Sequence, residues 1–122
     1  MFTLSSHHQF NLFSQAIDMR KGFNGLSGIV TNILQDNPRS GEVFIFINKG
    51  RDKIKLLQWQ GCGFVLHYKR LEQGTFELPH YENLEGSIIL SYTKMAMMVD
   101  GLSIKNIAER KRFNALNSTV TA

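Results

Sequence analysis

A chain of 122 residues with 43% hydrophobic and 20% charged positions has the size and composition of one globular domain, and its net charge of +4 leans it toward anionic partners. The single cysteine, Cys62, excludes an intrachain disulfide and fits a reducing compartment. No apolar run approaches the ~20 residues that cross a bilayer, and the opening MFTLSSHHQF lacks the basic and apolar regions of a signal peptide; a soluble, cytoplasmic protein is expected.

In chain order, Phe10 to Phe13 is a short apolar stretch that reads as an edge strand, and Asp18-Met19-Arg20-Lys21-Gly22 reads as a polar turn. Phe23, Leu26, Ile29, Val30, Ile33 and Leu34 recur at helical spacing and predict an amphipathic helix of about three or four turns. Gly25 and Gly28 weaken it in isolation and would let it lie close to a sheet. Pro38 and Gly41 break it.

Val43 to Asn48 is apolar on both faces, the pattern of an inner strand. After the turn Lys49-Gly50-Arg51-Asp52, strands are expected over Lys53 to Gln60 and Phe64 to Leu71, joined by the tight turn Gly61-Cys62-Gly63. A further short strand is expected near Thr75 to Leu78. Strands so spaced suggest an antiparallel meander. Pro79 to Gly86 reads as a loop and Ser87 to Leu90 as a last strand. Ser91 is an N-cap for a helix from Tyr92 to Val99, closed by Gly101, with Met95, Met97 and Met98 as its core fillers.

The expected fold class is α+β: an antiparallel sheet of four to six strands, with the first helix packed on one face, and a second helix near the C-terminus beside it. One domain is expected over residues 1–102. Residues 103–122 read as a basic tail, partly helical or frayed, carrying Arg110-Lys111-Arg112.

The stretch from Lys49 to Arg70 holds most of the functional information. It has six Lys or Arg residues and one acid, Asp52, threaded through Ile54, Leu56, Leu57, Trp59, Phe64, Val65, Leu66 and Tyr68. Charges interleaved with β-branched and aromatic residues predict a folded hairpin with a cationic face, where a solid basic block would predict a disordered tail. In a regular strand Lys53, Lys55, Leu57 and Trp59 share one face and Ile54, Leu56 and Gln58 the other. Two lysines and a tryptophan on one face suit phosphates and a stacked base. The competing reading is an ordinary solvated sheet face with Trp59 in the core. Lys69 and Arg70 fall on opposite faces of the next strand, so at most one joins the patch directly.

Arg20 and Lys21 precede the first helix, where backbone N–H groups favour an anion; Asp18 either caps that helix, the favoured reading, or pairs with Arg20. Asp18, Asp52 and Glu72 with Lys53 would make a metal-dependent nuclease site only if the carboxylates converged, and their spacing does not require it. His7 and His8 lie near the terminus, His67 and His80 have no sequence-local partner, and Cys62 has no nearby histidine to activate it. No catalytic residue, metal or cofactor is expected.

Asp18-Met19-Arg20-Lys21-Gly22-Phe23, Phe44-Ile45-Phe46-Ile47-Asn48, Asp52-Lys53-Ile54-Lys55 and Tyr68-Lys69-Arg70-Leu71-Glu72-Gln73-Gly74-Thr75-Phe76 stand in that order. Together they resemble the small accessory protein of bacterial transposons of insertion sequence family 66, of the TnpB type unrelated to the RNA-guided nuclease of the same name. The resemblance spans roughly residues 10 to 102. It departs at Gln60, where the family usually has an acid, and at Leu78, where an aromatic is usual.

The resemblance implies a mobile-element protein encoded beside a DDE-type transposase and supporting transposition, with no catalytic residue to carry over. The expected function is a non-catalytic accessory factor of DNA transposition that binds DNA through Arg20, Lys21, Arg51, Lys53, Lys55, Lys69 and Arg70 as phosphate contacts, with Trp59 as a stacker. The expected partners are DNA and the transposase of the same element, and no membrane. The alternative is a protein-interaction adaptor that docks on the transposase or homodimerises, for example by an unpaired strand edge.

Overall fold

The computed structural model describes residues 4–79 and 86–100. The elements are β1 (Phe10–Phe13), α1 (Phe23–Asn32), β2 (Val43–Ile47), β3 (Lys53–Trp59), β4 (Phe64–Arg70), β5 (Ser87–Leu90) and α2 (Tyr92–Val99). The five strands form one sheet in the order β4-β3-β2-β1-β5. β2, β3 and β4 make the expected antiparallel meander, with Ile45 opposite Leu56 and Leu57 opposite Leu66.

Two expectations about strands are corrected. β1 is an inner strand, parallel to β2 and antiparallel to β5, and all four of its residues are buried. Its apolar run therefore marks burial on both faces, as in β2, while α1 supplies the crossover that a parallel pair requires. The stretch Thr75 to Leu78 is not a strand: it is tied to the β2–β3 turn by the Phe76 N–H donating to the Arg51 carbonyl (2.6 Å), and it inserts Phe76 into the core.

Alternation along the strands divides the apolar residues between two layers. On one face Phe44, Phe46, Leu57 and Phe13 pack with Leu26, Ile29 and Val30 of α1. On the other Phe10, Leu12, Val43, Ile45, Ile54 and Leu56 pack with Phe76 and with Met95 and Met98 of α2. The second helix thus covers the face opposite α1 rather than lying beside it. It is capped by Ser91, whose hydroxyl accepts from the Lys94 N–H at 3.2 Å.

α1 is shorter than its apolar periodicity, because Gln35 turns into the left-handed region (φ 52°) and leaves Ile33 exposed. The Leu34 N–H then donates to Ile29 and the Asp36 N–H to Val30, closing the helix before Pro38 is reached. Gly25 abuts the side chain of Lys21 and Gly28 that of Asn32, so neither glycine brings α1 nearer the sheet. His80, Gly101 and the tail from Leu102 lie outside the described residues.

Candidate nucleic-acid interface

The β2–β3 turn gathers cations from four parts of the chain. Its geometry is set by Asn48, whose side-chain oxygen accepts from the N–H groups of Asp52 (3.1 Å) and Lys53 (3.0 Å) while its amide donates to the Asp52 carboxylate (2.7 Å). The Asn48 bond, and after it Lys53, holds the Asp52 carboxyl below the usual carboxylate range. Arg51 takes the left-handed conformation (φ 58°), uncommon for a residue with a Cβ. Lys49 and Arg51 project exposed from this turn.

Beside the turn, the segment Asp18–Lys21 is fastened from below. Ile17 donates its N–H to the Ile47 carbonyl (3.0 Å), and the Lys55 ammonium donates to the carbonyls of Met19 (2.6 Å) and Lys21 (2.7 Å). Asp18 does not cap α1, whose N-cap, Gly22, has no side-chain bond. The carboxylate instead accepts from the Arg20 backbone N–H (2.8 Å) and from its guanidinium (2.6 Å). That guanidinium bond first, and the backbone bond second, lower the Asp18 pKa to about 2.

The hairpin completes the cluster. Lys53 lies directly opposite Arg70, and Lys55 opposite Tyr68, on the α1 face of the sheet. Lys53 pairs with Asp52 (3.3 Å) and Arg70 with Glu72 (3.1 Å), both partly or fully exposed to solvent. Among the described residues Lys21, Lys49 and Arg51 form no close ion pair, though the Lys21 charge also acts on Asp18. An open groove of about 400 Å³ runs between these parts, bordered by Arg20, Lys49, Lys53 and Tyr68.

Five residues of the expected set lie at this end of the sheet: Arg20 and Lys53 border the groove, Arg70 stands opposite Lys53, Arg51 is on the turn, and Lys21 is just before α1 with its side chain against Gly25. Three do not. Lys55 is only 5% exposed, with its ammonium spent on two carbonyls and set 4.7 Å from the centre of the Tyr68 ring, so it faces no solvent. Lys69 points to the other face and donates to the Val99 carbonyl at the end of α2 (2.7 Å), a favourable place for a cation. Trp59 ends β3 six residues from Lys53, about 20 Å away along an extended strand. There it is half-buried, with the Arg39 guanidinium over its ring and Phe64 edge-on, each at 5.0 Å.

Sequence reasoning missed Lys49 and Tyr68. Lys49 opens the cationic stretch that ends at Arg70, and Tyr68 is two residues from Arg70, hence on its face. A hairpin closed at Gly61 to Gly63 puts that face beside Lys53, so the signal was available in the turn position.

The carboxylates proposed for a nuclease are each engaged with a neighbour: Asp18 with Arg20, Asp52 with Asn48 and Lys53, and Glu72 with Arg70. Among the described residues no three His, Cys, Asp or Glu side chains gather as a metal site. Among the same residues no helix is long and apolar enough to cross a membrane.

Comparison with known proteins adds the family. An uncharacterized protein of Sinorhizobium fredii (strain NBRC 101917 / NGR234), y4jC, is 34% identical over 89 residues, covering 73% of this chain and 74% of its own. A second from the same organism, y4hO, is 32% identical over 95 residues, covering 78% and 81%. No solved structure matches the chain significantly. The profile of the family described as "IS66 Orf2 like protein" matches residues 8–109, so the chain belongs to the IS66 Orf2-like family, a membership that fits an accessory role in transposition.

Proposed function

We propose that this protein is a non-catalytic accessory factor of transposition that binds DNA through the cationic end of its sheet. The observation that supports this most is the convergence of Arg20, Lys21, Lys49, Arg51, Lys53 and Arg70 around one rigid turn, drawn from segments far apart in sequence. Three of these cations carry an acidic neighbour, but exposed ion pairs are worth only about 0–1 kcal/mol, so a phosphate competes readily. Contacts of this kind position a backbone and carry little sequence information.

Fluorescence anisotropy on duplex DNA across a salt series tests the reading. The parent should bind with an affinity that falls steeply as salt rises. Each of Lys49→Ala, Arg51→Ala and Lys53→Ala should weaken binding and flatten the logarithmic salt slope by about one. Parent-like binding by the triple variant at low salt would remove the cluster from the interface.

A second reading rests on β5, an edge strand among the described residues, on which Ile89 is 68% exposed. Such an edge, with an exposed apolar side chain on its strand, suits strand addition by the transposase of the same element or by a second copy. Retention of the cognate transposase at physiological salt, lost in Ile89→Lys, is the expected result; retention unaffected by that change would sink the edge-docking version.

A further inference from the structure

Tyr68 is held in an arrangement that charge alone does not require. Its ring lies over the Lys55 ammonium, 4.7 Å from centroid to nitrogen. Lys55 is 5% exposed and Tyr68 53% exposed. The ring therefore covers the buried cation, while about half of the residue's surface stays open to solvent. Tyr68 also borders the same groove as Arg20, Lys49 and Lys53, and Arg70 stands two residues along the strand on the same side.

We infer that the groove takes an unpaired nucleotide, with its base stacked on the Tyr68 ring and its flanking phosphates on Lys49, Lys53 and Arg70. The inference rests on the DNA-binding reading and sharpens it: the preferred ligand is a single-stranded end, overhang or loop rather than continuous duplex. A base inside a duplex has both faces covered by its neighbours and offers the ring nothing, whereas an unpaired base offers a free π-face. The cation behind the ring draws electron density toward itself, which favours stacking with an electron-rich purine. Because Lys55 is fixed by two carbonyls, the ring meets a base without first having to find its own position.

The test compares three probes at one ionic strength: a blunt duplex, the same duplex with a short single-stranded adenine overhang, and the same overhang built of abasic sites. The adenine overhang should bind about fivefold to a hundredfold more tightly than the abasic one, the range expected for one stacked base. Tyr68→Leu, which keeps an apolar cover on Lys55, should lose that gain, binding adenine and abasic overhangs equally, whereas an alanine at a phosphate contact (Lys49→Ala) should weaken all three probes and keep the adenine-over-abasic ratio. Tyr68→Phe should keep the gain. Equal binding of adenine and abasic overhangs, or a gain that survives Tyr68→Leu, overturns the stacking site while leaving duplex binding intact. Failure of every probe to bind at low salt overturns both the site and the DNA reading beneath it.

Discussion

Lys55 lies beneath Tyr68 and, among the described residues, has no carboxylate against it; two backbone carbonyls and an aromatic face surround its ammonium. These carbonyls belong to Met19 and Lys21, so the lysine is a positioning residue for the segment that carries Arg20. Replacing it with methionine keeps the length of the stem but leaves both carbonyls unpaired. Lys55→Met should therefore cost about 1–3 kcal/mol of stability, read as a lower urea midpoint at unchanged slope. It should also weaken DNA binding although it meets no phosphate. Undiminished stability would show that the segment is held by other contacts.

Asp18 reports on the same segment through pH. Its folded pKa, about 2, lies below its ordinary value of 3.8, so folding gains from the ionised form. That contribution is complete above about pH 4 and is lost as pH falls through about 2. In Arg20→Ala the carboxyl titration followed by NMR should move up toward 3.8. Because both side chains are exposed, added salt should move it the same way. A titration that ignores the Arg20 substitution would mean that the guanidinium does not set it.

Among the elements, the β2–β3 turn combines strain with exposure at one residue. Arg51 occupies a left-handed backbone conformation that glycine adopts freely, yet it carries a cation at the rim of the cluster. Arg51→Gly relieves the strain at the expense of a more flexible unfolded chain, two effects of about 1 kcal/mol that oppose each other. Thermal stability should stay level or rise slightly, while DNA affinity falls. A clear drop in melting temperature would instead assign the arginine a structural task.

The hairpin also shows where the sequence was legible. The alternation of Lys53, Lys55, Leu57 and Trp59 correctly placed them on one face, because strand periodicity is local. It could not reveal that Met19 and Lys21, from more than thirty residues earlier, roof over Lys55. Nor could it show that Lys69 finds the end of α2 on the other side. Trp59 shares a face with Lys53 but not a neighbourhood, since period two fixes side and says nothing of distance along the strand.

For the whole molecule, the α+β class and the β2–β3–β4 meander were readable because each hairpin is closed by a short turn. The pairing of β1 with β2 was not: parallel strands joined through a helix leave no local mark of which neighbours they choose. Apolar content on both faces of β1 matched an inner strand as well as it matched a short edge. The outcome is a sheet with α1 and the cationic groove on one face and α2 on the other. That separation predicts that stability and binding can be altered independently. Met98, 1% exposed in the α2 layer, lies across the sheet from the groove. Met98→Ala should cost about 2–4 kcal/mol through the cavity it leaves. At temperatures where the variant remains folded, its DNA affinity and salt slope should match the parent's, because no cation has moved. A flattened salt slope in folded Met98→Ala protein would mean that the α2 layer, through Lys69 and its bond to Val99, takes part in the interface after all.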